Sequence, residues 1–368
     1  MKNETENIVE LIGRREWAKE PYSRQSWGSW LHRISPYVGR IKPAFAHFLI
    51  KYATNEGDII LDPFGGIGTI PAEGMLMGRH TISNDLNPYA NYIAKSKCNH
   101  KESLNDLIDY IDAIEVDTSR IDLDSIPDWV REYYNQDTLK EILFFKDRLE
   151  RDGQFFLLGN LIGISQGHRP GHLSKPCAWT LPYKPRANDP GEYREVKPRL
   201  IEKIKRTYKD NFSPTGTMRT IFGDARNLQV DDKSVDAIIT SPPYFDTLDY
   251  INSSRLRLAI CGCYDKAKLK EIRDSLIQQF DSYIPDMEIC ISEFKRVLKS
   301  GGKCIVVVGD VFKKSTVINT AEELKPIFEK YGFACHAIIP DGIPVNKSVQ
   351  KTTPKQKFDR IMILTPEE

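Results

Sequence analysis

A parallel α/β sheet with both faces covered, closed at one edge by an antiparallel hairpin, is the fold class this sequence predicts. Three observations predict it. Short apolar strand patterns alternate with helical ones. The strands are near-continuous apolar runs, as in sheets buried on both faces. The last two strand patterns lie close together, joined by a loop that holds proline and glycine.

The strands fall in two groups. "GDIILD" (57–62) and "RHTISND" (79–85) come first, each followed by a helical pattern. The second group holds "RTIFGD" (219–224), "VDAIIT" (235–240), "KCIVVVGD" (303–310), "FACHAIIP" (333–340) and "FDRIMILT" (358–365). Apolar runs of this length bounded by turn residues read as strands. The final pair is expected to form the hairpin, a departure from a plain dinucleotide-binding sheet. Between the groups lies an insert. Its first half is helical, with "LNDLIDYIDAIEVD" and "DTLKEILFFKDRLE". Its second half, "GHRPGHLSKPCAWTLPYKPRANDPGEYREVKPRL", is irregular, rich in proline and basic residues, and carries Trp179 and Tyr183. Long irregular segments of this kind are usually functional or disordered. The chain therefore divides into 1–99, an insert at 100–215, and 216–368.

Composition narrows the classes. With 368 residues, 40% hydrophobic and 28% charged, the chain can bury a sizeable core. No apolar run approaches the ~20 residues that span a bilayer. The opening "MKNETENIVELIGRREW" lacks the apolar centre of a signal peptide, so a cytoplasmic protein with no membrane partner is expected. Seven scattered cysteines, an odd number in a long chain, argue against a disulfide framework. Cys261 and Cys263 lack zinc-site spacing, and His168 and His172 in "GHRPGH" suit backbone or phosphate contact, so no metal is expected. A net charge of +1 excludes a strongly basic coat but not a local basic face.

"DIILDPFGGIGTIPAEG" (58–74) sets a glycine-rich turn between a strand and a helix. Gly65, Gly66 and Gly68 let a ligand approach the backbone. Asp85 closes the next strand, where a carboxylate can accept from a ribose diol, and Asp224 closes another, suited to an adenine amino group. A glycine loop and acidic strand ends thus converge on an adenosine-sized site. The plain alternative is a helix cap with solvated acids. No Walker lysine follows the loop, which disfavours a phosphate cradle, while a nicotinamide dehydrogenase stays open on the loop alone. "ITSPPYFDTLDY" (239–250) ends a buried strand with serine, two prolines and an aromatic. Proline cannot donate to a ladder, so this stop is abrupt and rigid.

These residues resemble a known family. "DPFGGIGT" is similar to the AdoMet-binding motif of amino-group DNA methyltransferases, and "TSPPY" to their catalytic motif. "RIKPAFAHFLIKYATNEGD" (40–58) resembles the segment flanking the methionine end of AdoMet, and "RVLKSGGKCIVVVGD" (296–310) the helix, turn and fifth strand. The resemblance implies a Rossmann-like class I AdoMet-dependent methyltransferase fold, a seven-stranded, mostly parallel sheet with an antiparallel terminal hairpin. It implies AdoMet as cofactor, bound by Lys42, Asp62, Phe64, Gly65, Gly66, Gly68, Thr69, Asp85 and Asp224, and Ser241, Pro242, Pro243 and Tyr244 as catalytic residues. Serine at the motif's head is typical of cytosine-N4 enzymes and Asp or Asn of adenine-N6 enzymes, so cytosine N4 is favoured. The implied partners are double-stranded DNA and a cognate restriction endonuclease. The insert is the candidate for sequence recognition.

The chemistry explains the motif. A cytosine amine is a poor nucleophile because its lone pair is delocalised into the ring. Acceptors for its two N–H bonds, the Ser241 hydroxyl and the Pro242 carbonyl, can rehybridise that nitrogen, and the prolines fix the carbonyl in advance. Tyr244 offers a stacking face for a base flipped out of its duplex. Phe245, Asp246, Asp249 and Tyr250 either line the pocket or support the loop. Carbon-5 methylation needs a cysteine nucleophile. Pro176-Cys177 lies in the insert, away from the fourth strand, so Cys177 reads as a structural thiol. Residues 184–209, with "GHRPGH", are the candidate phosphate-contacting surface. Two rivals remain: an RNA methyltransferase with the same loop, and a binding module with a dead transferase fold, against which the intact motifs weigh.

Overall fold

The computed structural model describes residues 4–24, 26–98, 102–178, 190–208, 214–244, 249–313, 316–343 and 357–367. The chain opens with helices α1 (Glu4–Gly13) and α2 (Pro43–Ala53), joined through short 3-10 turns at Glu16–Ala18 and Trp30–Arg33. There follow β1 (Ile59–Asp62), α3 (Thr69–Leu76), β2 (His80–Asp85) and α4 (Pro88–Lys95). The insert contributes α5 (Leu104–Asp112), α6 (Asp128–Arg131), α7 (Gln136–Arg151), α8 (Phe155–Ile164) and α9 (Val196–Thr207). Strands β3 (Thr217–Phe222) and β4 (Val235–Thr240) lead to α10 (Tyr250–Ile260), α11 (Lys266–Ser275) and α12 (Tyr283–Val297). The chain closes with β5 (Leu298–Gly309), a ribbon of β6 (Val311–Lys313) and β7 (Thr316–Ile318), α13 (Thr320–Lys330), β8 (Phe333–Ile343) and β9 (Lys357–Pro366).

Seven strands form one sheet in the order β3-β2-β1-β4-β5-β9-β8. The first five run parallel, and β9 is antiparallel to both β5 and β8. This is the expected sheet with its reversed terminal hairpin. Alternate residues explain why the strands read as apolar runs. Ile60, Ile239, Ile305, Val307 and Ile361 point to the face covered by α1 and α2. Leu61, Ile238, Val306, Val308 and Met362 point to the opposite face, covered by α12 and α13. With a side-chain period of two and both faces buried, most central strand positions take apolar residues.

The strand order reverses between β1 and β4. Helices lead away from the sheet on either side there and leave a crevice beyond the carboxyl ends of both strands. Every candidate motif lies at that end. Two boundaries differ from the sequence reading. Strand β3 ends at Phe222, so Asp224 stands beyond the strand, after Gly223. Helix α2 covers only the middle of the 40–58 segment, starting at Pro43, whose fixed φ suits a first helical turn.

The insert occupies the crossover from β2 to β3. Its apolar residues share one cluster with α4, α10 and the Trp30 turn. The Trp30 ring meets Phe156 of α8 edge-on at 5.5 Å and lies 5.3 Å from Tyr208.

Candidate active site

The glycine loop is shaped by close approach. A Cβ on Gly65 would stand 2.1 Å from Ser83 Oγ, so the loop lies directly on β2. Gly65 N donates to Asn84 O at 2.9 Å, and Asn84 Nδ2 returns a bond to Pro63 O at 3.0 Å. Gly68 has φ +71° at the start of α3, a left-handed conformation that side chains resist.

Two carboxylates, Asp62 buried and Asp85 half-buried, organise the loop. Asp85 Oδ2 accepts from Gly66 N at 2.8 Å, and its Oδ1 from Asn87 N at 2.8 Å. Thr240 Oγ1 donates to Asp62 Oδ1 at 2.6 Å, which ties the end of β4 to the end of β1. Burial pushes Asp62 up to about 7 against the hydrogen bonds from Thr240 and Phe64. Burial also pushes Asp85 up to about 6, opposed by the amides of Asn87, Gly66 and Leu86.

A cavity of about 830 Å³, counting its open mouth, joins these pieces. Asp62, Phe64, Gly65, Gly66, Thr69, Asp85 and Asp224 line it, and so do Ser241 and Pro243. The cofactor loop and the Ser-Pro-Pro turn thus meet at a single space. A carboxylate offers about four lone-pair positions, and the amides of Gly66, Leu86 and Asn87 do not fill them all. Its remaining acceptor capacity on the cavity wall fits a ribose diol.

Other candidates are placed differently. Lys42 is exposed at the N-cap of α2 and is absent from the cavity lining, where Arg40 and Ile41 stand instead. Asp224 lines the cavity, but Arg226 grips its carboxylate at 2.7–3.1 Å and also bonds Asp286 at 2.8 Å. Pro242 is buried behind the lining. Tyr244 also lies outside it: its hydroxyl donates to Asp359 Oδ1 of β9 at 2.7 Å. Its ring covers Gly309, where a Cβ would meet Cε2 at 2.8 Å. Phe245 and Asp246 lie outside the described residues. Tyr250 does line the cavity, 6.1 Å from Tyr37 in a stacked pair. Asp249 caps α10 by accepting from Asn252 N at 2.8 Å. Cys177 is buried in the insert beside Ser174, and burial raises its thiol.

Sequence reading missed several lining residues. Tyr37 and Arg40 come from the turn before α2, and Ala225, Leu276 and Ile277 form an apolar wall near Asp224. Arg40 heads the 40–58 segment that carries part of the resemblance, and Ala225 adjoins Asp224; Tyr37, Leu276 and Ile277 belong to no motif and had no local signal.

In the insert, "GHRPGH" meets α9, with Arg199 Nε donating to Pro170 O at 3.4 Å. Lys205 and Arg206 are exposed there, whereas Lys203 Nζ donates to Arg33 O at 2.9 Å. Residues 179–189, including Trp179 and Tyr183, lie outside the described residues. No group of metal-ligating side chains occurs among the described residues, and no helix among them is long and apolar enough to cross a membrane.

Residues 17–96 match the model of a DNA methylase family, the N6/N4 methyltransferases. The chain is 31% identical over 110 residues to Type II methyltransferase M.MjaII of Methanocaldococcus jannaschii, an alignment covering 26% of this chain and 21% of that protein. It is 24% identical over 311 residues to Type II methyltransferase M.BsoBI of Geobacillus stearothermophilus, covering 73% of this chain and 58% of that one. The chain thus spans under two thirds of the length of either relative. Among solved structures, a SAM-dependent methyltransferase of Methanosarcina mazei aligns at 11% identity and a TM-score of 0.38, covering 87% of this chain and 97% of its own.

Proposed function

We propose that the chain is an amino-group (N6/N4) methylase, the family whose model residues 17–96 match, and that it methylates the exocyclic amine of a flipped DNA base, cytosine N4 ahead of adenine N6. One observation carries the reading. The loop that fits AdoMet and two residues of the catalytic turn, Ser241 and Pro243, line the same cavity, so methyl donor and amine would meet in one space.

When bound, AdoMet supplies a sulfonium methyl carbon open to in-line attack. Gly65 and Gly66 approach it with backbone alone, and Asp85 accepts from its ribose. Ala225, Leu276 and Ile277, which line the same cavity beside Asp224, would face its adenine. On the opposite side, the Ser241 hydroxyl oxygen and the Pro242 carbonyl behind it would accept hydrogen bonds from the two amine N–H groups as the nitrogen loses its planarity. The nitrogen takes the methyl, the sulfonium leaves as a neutral thioether, and one amine proton departs to solvent. The contribution of the two acceptors is greatest in the transition state, which makes it catalytic. The Thr240–Asp62 bond holds the two walls in register, because it joins the strand ends from which both loops spring. Tyr244 takes up the base once the side chain leaves Asp359. The serine at the head of the motif, rather than Asp or Asn, favours cytosine.

Mass analysis of nucleosides from DNA incubated with the chain and AdoMet tests this. N4-methylcytosine is the expected product. N6-methyladenine in its place removes only the choice of base. Methyl incorporation into structured RNA and none into duplex DNA removes the DNA reading.

A further inference from the structure

A second cavity, about 880 Å³ with its open mouth, lies between the insert and the pair α10–α11. Trp129 and Tyr133 come from the insert; Arg255, Lys266, Lys270 and Arg273 come from the two helices. Four of these six are cations. Glu132 is the only carboxylate among the described lining residues. The Arg255 guanidinium sits 6.0 Å from the Trp129 ring, and its Nη2 lies 3.4 Å from the Tyr133 hydroxyl. Arg273 pairs with Asp249 at 3.2 Å and Lys270 with Asp274 at 2.8 Å. Both pairs are exposed, so their hold is weak and a phosphate can compete for the cations.

Helix α10 is the partition between the two cavities. Tyr250 lines the first, and Ile251, Asn252 and Arg255 line the second. At 1.5 Å per residue, Tyr250 and Arg255 are about 7.5 Å apart along the helix axis. A strand that delivers a base to the first cavity can thus bring a neighbouring nucleotide to the second. Cations beside flat aromatic faces are what an unstacked nucleotide requires: a site for its phosphate and a platform for its base.

We infer that this cleft receives a nucleotide neighbouring the flipped one, its phosphate on Lys266, Lys270 and Arg273 and its base against Trp129. The inference rests on the reading of DNA methyl transfer. It is also separable from it, because none of these residues lines the first cavity.

The test uses the full chain and a labelled single-stranded oligodeoxynucleotide, titrated between about 50 and 200 mM salt. In Lys266→Ala/Lys270→Ala the log–log salt slope should fall by about 1.4, two contacts at ~0.7 each. Trp129→Ala should lose roughly tenfold in affinity, with Trp129→Phe recovering most of it, since stacking needs a ring. AdoMet affinity by calorimetry should match the parent in all three variants. An unaltered slope in the lysine variant, together with full affinity in Trp129→Ala, overturns the inference. A loss seen only on the matching oligoribonucleotide overturns the DNA assignment. Methylation of DNA with unaltered slopes removes the cleft and leaves the proposed function. Binding through these residues without methyl incorporation removes the proposed function and leaves the cleft.

Discussion

Asp85 spends lone pairs of both oxygens on backbone amides and keeps the rest for the cavity. Asp85→Ala should weaken AdoMet binding by roughly 1.5–3 kcal/mol, the worth of a charge-assisted bond, as read by calorimetry. Full affinity in a folded variant would remove the ribose assignment. The ionised carboxylate is the better acceptor, and burial holds Asp85 near 6, so affinity should fall as pH drops from 7 through 6. Tyr244 separates two roles. Tyr244→Phe loses the bond to Asp359 but keeps the ring, so methyl transfer should persist; Tyr244→Ala should lose it while AdoMet still binds. Equal losses in both variants would show that the hydroxyl, not the face, matters. Gly65, Asp85 and Ser241 were legible because each sits in a short local motif. Asp359 was not, since its contact with Tyr244 spans 115 residues and carries no local pattern.

Helix α9 shows how an element divides its charges. Lys205 and Arg206 face solvent, whereas Lys203 is bonded to the Arg33 carbonyl and lowered by burial to about 8. Neutralising Lys205 and Arg206 together should flatten the salt dependence of DNA binding by about 2 log units per log unit of salt on duplex. Lys203→Ala should instead cost about 0.5–1.5 kcal/mol of stability, seen as a lower melting temperature. A salt slope that follows Lys203 alone would reverse these roles. The strands were legible because burial on both faces leaves a continuous apolar run. Strand β3 slid by two residues because its register is set by pairing with β2, His80 to Thr217 through Asp85 to Phe222. The ribbon β6–β7 went unread, since "VFKKSTVI" is short and half polar.

Across the whole molecule, three acids raised by burial and two histidines lowered by it pull stability in opposite directions with pH. Burial raises Asp62 to about 7 and both Asp85 and Asp359 to about 6. A raised carboxyl binds protons in the folded chain that the unfolded chain releases. Its stabilising share is complete below the unfolded value and is lost as pH rises through 6–7. Burial lowers His32, and it lowers His172 to about 4, which costs stability as pH falls below the ordinary histidine range. A variant isolates one side. Asp359→Asn should gain melting temperature over the parent at pH 7 and show a smaller gain at pH 5. The same difference at both values would show that Asp359 is not raised. The mostly parallel sheet and its reversed terminal hairpin were legible in the sequence, but the strand order and the fusion of the insert with the Trp30 turn were not. That packing joins residues 126 positions apart, Trp30 and Phe156, through shape alone.

The bond from Thr240 to Asp62 spans 178 residues and sits at the centre of the sheet, where β1 meets β4. At a synthesis rate of 5–20 residues per second, β1 waits roughly 10–35 s on the ribosome for its partner. Throughout that interval the glycine loop has no second wall. A nascent chain halted after the insert should therefore fail to retain AdoMet, and retention should begin only when β4 has emerged. Capture of the donor then marks the moment at which translation has joined the two halves of the molecule.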